Sequence, residues 1–439
     1  MPLDVLEVIY DYIFRQPSNP DNDSRSGSGR ISSFPGSYLT PLTLCHVDSR
    51  LRQAALQITM IWSSVYIYNI GPSQISLLRF WLNNASTRPL SIVVAFYKPT
   101  LEGWLFHSPI ISELSKILGS KSHQWRSLSL RLPDYASGIF SGLRPGDVSS
   151  LKFVELQLEG WEPKRSDEIF TVLMSSSSLQ EIDWSSTFGS DLPRNVPWER
   201  LTDLKLERPR TLHELIHVLD KAQNLRNLQL GELDDYRETA PQCITVNAQI
   251  LTVTSPRIID ALFPSLSFPQ LSELNIDVVE QRLSKEGWTI LRTMTSDATQ
   301  PHLRRFSYSS SLGDTNLLMI QNHFMNLLVL PRMVNLVHLV LHLSLTDILI
   351  QFLTHRPTWN SGAGFCTLPH LEVLSLSRCQ VKSDGLISAM VLSRLSTNSP
   401  RSFLKHVDIT VNGPGEFLKD KSAFEEFRRR GIDAHMLIW

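Results

Sequence analysis

The sequence predicts an α/β solenoid, and three observations carry that expectation. A Leu-x-x-Leu-x-Leu hexamer, seen in Leu225-Arg226-Asn227-Leu228-Gln229-Leu230, returns about eleven times between residues 125 and 409. Successive starts lie roughly 22 to 28 residues apart up to Leu271 and roughly 32 to 35 beyond it. Several hexamers also follow segments with helical apolar spacing, such as Ile110 to Leu118, Asp167 to Met174 and Leu212 to Ala222. A short strand cannot bury its apolar side alone, so each unit must stack on its neighbours. These are leucine-rich-repeat spacings, with a parallel sheet expected on the concave side and helices on the convex side.

The hexamers begin at Trp125, Leu151, Leu179, Leu201, Leu225, Ala248, Leu271, Leu303, Leu336, Leu371 and Leu404. Strand alternation turns the leucines inward and the third, fifth and seventh positions outward. The outward set contains Phe153, Glu155, Glu181, Asp183, Asp203, Glu207, Glu273 and Asp277, the candidate target-binding face, with Lys205 as its main interruption. Phe153 is a candidate aromatic anchor. Farther along, the same positions carry Arg305, His338, His342 and His406. An acidic middle followed by a basic or titratable end selects a partner with basic residues.

Before the repeats, residues 2 to 14 have the spacing of an amphipathic helix, with Pro2 suited to its first turn. Residues 16 to 37 lose all apolar pattern and read as a disordered insertion. Helices are expected at about 39 to 46 and 48 to 57, then a strand at Ile61 to Ile67. The runs Pro2-Leu3-Asp4-Val5-Leu6-Glu7-Val8-Ile9-Tyr10, Pro41-Leu42-Thr43-Leu44-Cys45-His46-Val47-Asp48-Ser49-Arg50-Leu51-Arg52 and Ile61-Trp62-Ser63-Ser64-Val65 together resemble an F-box-like domain. The likeness is to the F-box/leucine-rich-repeat proteins abundant in mushroom-forming fungi. It continues through Leu77-Leu78-Arg79-Phe80-Trp81-Leu82 and Arg88-Pro89-Leu90-Ser91-Ile92. Asp48 and Leu51 stand where that pattern usually carries Cys and Trp. The resemblance implies a small helical cap that docks on a Skp-family adaptor, and through it on a cullin, by way of Pro2, Leu3, Leu6, Ile9, Pro41, Leu42 and Val47. The implied function is substrate recognition in an SCF-type ubiquitin ligase, with an unidentified target protein held by the solenoid.

The resulting organisation is an F-box-like domain over 1–67, a connecting helix and first strand over 68–98, the solenoid over 99–412 and a C-terminal cap over 413–439. In that cap Phe417 to Arg430 reads as a helix, with Gly431 as its C-terminal cap and Arg428-Arg429-Arg430 at the negative end of its dipole. Ile432 to Trp439 reads as one more strand that closes the edge of the array.

The remaining composition narrows the function classes. A formal net charge of -1 gives no whole-chain pull toward nucleic acid or anionic membrane. No stretch reaches about 18 uninterrupted apolar residues, and the N-terminus lacks the pattern of a signal peptide. Cys45, Cys243, Cys366 and Cys379 are irregularly spaced, as reduced thiols in an intracellular protein of cytoplasm or nucleus would be. His213-Glu214-Leu215-Ile216-His217 matches a zinc-hydrolase signature. However, no third ligand follows it, and Leu212, Leu215, Ile216 and Leu219 form a buried stripe that turns both histidines to solvent. No phosphate-binding glycine loop or nucleophile elbow occurs. The expectation is a protein without catalytic activity, cofactor or metal. The alternatives are an interaction scaffold that does not bind the adaptor and, more remotely, a zinc hydrolase.

Overall fold

Strand and helix alternate along the chain because the apolar period switches between about two and about 3.6 residues. The structure, a computed structural model, describes residues 30–33, 40–96, 104–184, 196–207, 211–233, 243–278, 283–310, 317–354, 368–395, 404–413 and 415–438. The chain divides into two units, Met1–Arg208 and Pro209–Trp439. Both are α/β, with a parallel-dominated sheet built in chain order and helices between the strands, a solenoid-like arrangement.

The first unit runs β1 (Arg30–Ser32), α1 (Pro41–Val47), α2 (Ser49–Gln57), β2 (Ser64–Tyr68), α3 (Pro72–Asn84), β3 (Leu90–Ala95), α4 (Trp104–Gly119), β4 (Trp125–Pro133), β5 (Phe153–Glu159), α5 (Pro163–Leu173), β6 (Glu181–Trp184) and β7 (Asp203–Leu206). β2 to β7 pair in parallel, each with the next. β1 pairs antiparallel with β2, Ile31 opposite Ile67. This corrects the reading of residues 16 to 37 as patternless throughout. One buried isoleucine in a three-residue strand gives no periodic signal, and only the edge of β2 makes it a strand. The parallel ladder also includes β2 and β3, so it starts ahead of the first leucine hexamer.

The two short helices have clear local causes. Thr40 caps α1 by accepting from the Thr43 backbone N–H at 3.3 Å, and Pro41 occupies the first turn. Asp48 caps α2, its carboxylate accepting from the backbone N–H groups of Arg50 and Leu51 at 2.7 and 2.8 Å. Indole donors then fasten α2 and α3 to the turn between them. Trp62 Nε1 donates to the Ala55 carbonyl at 2.7 Å, and Trp81 Nε1 to the Trp62 carbonyl at 2.9 Å. The two buried rings meet edge to face at 5.3 Å.

The second unit runs α6 (Leu212–Lys221), β8 (Asn227–Leu230), β9 (Ile244–Thr245), β10 (Ile250–Val253), α7 (Pro256–Leu262), β11 (Leu266–Ser267), β12 (Glu273–Val278), α8 (Lys285–Ser296), β13 (Arg305–Ser310), α9 (Leu317–Leu328), β14 (His338–Thr346), α10 (Asp347–Leu353), β15 (Val373–Gln380), α11 (Leu386–Leu395), β16 (His406–Val411), α12 (Leu418–Arg429) and β17 (Asp433–Ile438). β9 and β11 form a separate parallel pair, and the other strands make one parallel sheet. The leucine alternation sets its register. Leu228, Leu251, Leu274, Phe306, Leu339, Leu374 and Val407 form one buried row, paired strand to strand. β17 adds to β16 where the sequence places a last strand, and Gly431 takes the positive φ of +83° that a helix C-terminal turn favours.

Buried charge pins the longer repeats. Arg332, 0% exposed, donates to the carbonyls of Pro301, Met294 and Leu271 and to Gln300 Oε1. Arg394 donates to the carbonyls of Leu353 and Leu368. Asp420 accepts from the N–H groups of Gly385 and Ser388 at the start of α11, while Asp384 accepts from those of Lys419 and Asp420 at the start of α12. Neighbouring helices thus cap one another, each supplying the acceptor that the other's first turn lacks.

Candidate functional site

Alternate residues of each strand turn away from the buried row, and pairing aligns them into rows across the sheet. In the first unit one row runs Ser64, Ser91, Ser127, Phe153, Glu181, Asp203. The next runs Tyr66, Val93, Ser129, Glu155, Asp183, Lys205. Phe153, Glu155, Asp183, Asp203 and Glu207 are half-buried and Glu181 is exposed, whereas Val154, Leu156, Ile182, Leu204 and Leu206 are buried. The inward and outward assignment follows the hexamer as expected.

Within the second row the charges interlock. Ser129 Oγ and Arg131 both donate to Glu155, the latter at 3.2 Å. Lys205 Nζ bridges Asp183 at 3.0 Å and Glu207 at 2.9 Å. Burial pushes the Asp183 carboxyl above its ordinary pKa, and its Lys205 contact only partly offsets that, with Glu155 and Glu207 pushing the same way as burial. Burial opposes the Lys205 charge, yet Glu207 and Asp183 together hold its pKa above the usual value. Both partners move upward because one ammonium serves two carboxylates. The lysine is held charged by two partners, while each acid shares it.

The first row borders a groove of about 460 Å³ that contains Phe153, Glu181 and Asp203. Its other wall is formed by Arg126, Lys152, Gln180 and Thr202, residues that the hexamer pattern does not single out. They hold the second hexamer position, and their backbones form a ladder: Lys152 N–H to Arg126 O at 2.8 Å, Gln180 N–H to Lys152 O at 2.9 Å, Thr202 N–H to Gln180 O at 2.8 Å. Counting only outward strand positions misses them, because their side chains sit at the rim where the strands begin. The signal in the sequence is the column of polar residues immediately ahead of each third position.

Glu273 and Asp277 belong to the second unit, apart from this set. Glu273 is paired in register with Arg305, and Asp277 with Ser309. The row through Glu273 and Arg305 continues to His338, Val373, His406 and Asp433, so the basic and titratable end anticipated from the sequence is present there. Asp433 accepts from or pairs with two imidazoles, His406 at 2.7 Å and His435 at 2.8 Å.

Of the residues that the F-box resemblance assigns to adaptor contact, Pro2, Leu3, Leu6 and Ile9 lie outside the described residues. Pro41 is buried, Leu42 is half-buried and Val47 is 63% exposed. Leu56 at the end of α2 and Phe80 on α3 are also exposed. His213 and His217 lie exposed on α6, whose buried stripe is Leu212, Leu215, Val218 and Leu219; Val218 replaces the expected Ile216, which is half-buried. Among the described residues no group of three His, Cys, Asp or Glu is placed to hold a metal ion. No helix among them is long and apolar enough to cross a membrane. Compared with known proteins, the chain matches no family model and no curated protein.

Proposed function

We propose that this chain is a non-catalytic recognition protein, a leucine-rich-repeat receptor that holds a target protein on the outward rows of its sheet. The observation that carries the reading is the interlocked set Glu155, Asp183, Lys205 and Glu207 beside Phe153 and Glu181. These are charges fixed on a rigid sheet, several of them partly desolvated, around an aromatic side chain. Such a surface favours electrostatic selection of a partner.

The resemblance of the first residues and of Pro41 to Arg52 to an F-box-like domain extends the proposal to substrate recognition in an SCF-type ubiquitin ligase. In that reading Val47, an exposed apolar side chain at the end of α1, belongs to the surface that a Skp-family adaptor covers. The test is direct binding of a purified Skp-family adaptor to the full chain. Val47→Glu should weaken binding at least about tenfold while leaving thermal unfolding unchanged, because an exposed side chain carries little folding energy. Absence of adaptor binding by the folded chain overturns the ligase assignment and leaves an interaction scaffold.

A further inference from the structure

Three features of the first-unit groove bear on what it takes. Its rim carries two cations, Arg126 and Lys152, on adjacent repeats, and neither has an ion-pair partner among the described residues. One repeat beyond Lys152, the same groove carries Glu181, whose carboxyl likewise has no cation against it among those residues. Partial burial, then Asp203 and Asp183, push its pKa upward. Phe153, half-buried, follows Lys152 directly in the chain and is paired in register with Ser127 on one side and Glu181 on the other.

We infer that the groove binds an extended segment of a partner protein with an acidic side chain at one end, an apolar one in the middle and a basic one at the other. Strands in a sheet are about 4.8 Å apart, so the cation pair on β4 and β5 and the acid pair on β6 and β7 have centres about 10 Å apart. An extended chain rises about 3.3 Å per residue and turns alternate side chains to one face, so an acidic, an apolar and a basic side chain that all enter the groove lie two residues apart in turn, spanning about 13 Å, against about 14 Å from β4 to β7. The apolar side chain between them then rests on Phe153. A nucleic-acid strand fits less well, because its phosphates would meet Glu181 and Asp203 at the far end. A uniformly basic segment would meet Arg126 and Lys152. The inference rests on the recognition function proposed above and narrows it to a charge-ordered peptide.

The experiment selects from a displayed library of random peptides on the full chain and, in parallel, on a double charge-reversal variant, Lys152→Glu with Glu181→Lys. Both side chains are exposed, so the variant should keep the thermal unfolding of the parent. The parent should enrich peptides with acidic and basic residues about four apart and an apolar residue midway between them. The variant should bind these at least about tenfold more weakly, because each end of the groove then carries one charge of each sign and no longer selects the charge order. Enrichment of peptides without that charge order, or of the same peptides by both proteins, overturns the inference. If such peptides bind and are instead lost on Asp183→Asn, recognition lies on the neighbouring row and the broader function stands. If neither protein enriches any peptide, the groove assignment fails, and the recognition function stands or falls on the adaptor and target measurements alone.

Discussion

The two units differ in where they put charge. In the first, the buried polar side chains among the described residues are uncharged, for example Ser122, Gln124, Ser129 and Ser176. Its outward rows and groove rim carry a cluster of ionic groups, and its helices carry further exposed pairs such as Arg79 with Glu113. In the second, Arg332, Arg394 and Asp420 are buried, each satisfied by backbone groups of neighbouring repeats. Repeat length supplies the reason. The later repeats carry roughly ten more residues each, and longer connections bring more carbonyl and N–H groups away from strand and helix ladders. Those groups need partners, and a guanidinium with five donors can serve several carbonyls at once. Charge in the first unit thus remains available to a partner, whereas in the second much of it closes the fold.

The largest expected effect breaks the second half of that contrast. Arg332→Ala strands the carbonyls of Leu271, Met294 and Pro301 and should cost about 3–5 kcal/mol in chemical denaturation. A loss below about 1 kcal/mol would mean that water serves those carbonyls as well as Arg332 does, and the buried-pin account would fail.

Next comes the packing that both units share. Leu228→Ala removes a buried side chain from the inward row and should cost about 2–5 kcal/mol, while Gln229→Ala, its outward neighbour, should change stability by less than about 0.5 kcal/mol. Equal losses would place the strand in the wrong register.

Lys205→Met sharpens the first half of the contrast. It removes the ammonium between Asp183 and Glu207 but keeps the methylene stem, so the expected loss is only about 1 kcal/mol. The same change should weaken target binding more than it weakens folding, if the outward charges serve recognition. Measured binding that stays constant while stability falls would assign Lys205 to the fold alone.

The smallest effect is a difference in pH response. Glu181 and Asp183 have pKa values raised by burial, so the folded first unit takes up their protons before the unfolded chain does. That unit therefore gains stability as pH falls from neutral toward the ordinary value of 4.5 for Glu181. In the second unit Thr299 lowers the Asp297 pKa, Lys405 that of Glu372, and His406 with His435 that of Asp433. Their contribution is lost as pH falls through those lowered values. Burial, then Arg292, lowers the pKa of His323, so its protonation also favours unfolding below its ordinary 6.5. Asp260, raised by burial, acts the other way. Hydrogen exchange corrected for intrinsic rates should show first-unit protection rising relative to the second between about pH 7 and about pH 4. Parallel changes in both units would remove the electrostatic contrast.

How much of this was legible in the sequence depends on the range of each interaction. The hexamer determined β4 to β8, β10 and β12 to β16, their inward apolar row and the outward positions of Glu155, Asp183 and Lys205, because strand alternation is a local period of two. The caps at Thr40 and Asp48 and the turn at Gly431 are equally local, each set within a few residues. Tertiary structure decided the rest. β1 exists because the edge of β2 accepts it. Arg332 reaches a carbonyl 61 residues away at Leu271, and Asp384 and Asp420 trade caps across 36 and 32 residues. The groove joins Arg126 to Asp203 only once the strands between them have stacked. A repeat encodes its own strand and helix, but its partners lie one or more repeats away, and no local spacing in the chain records which side chain will meet which carbonyl.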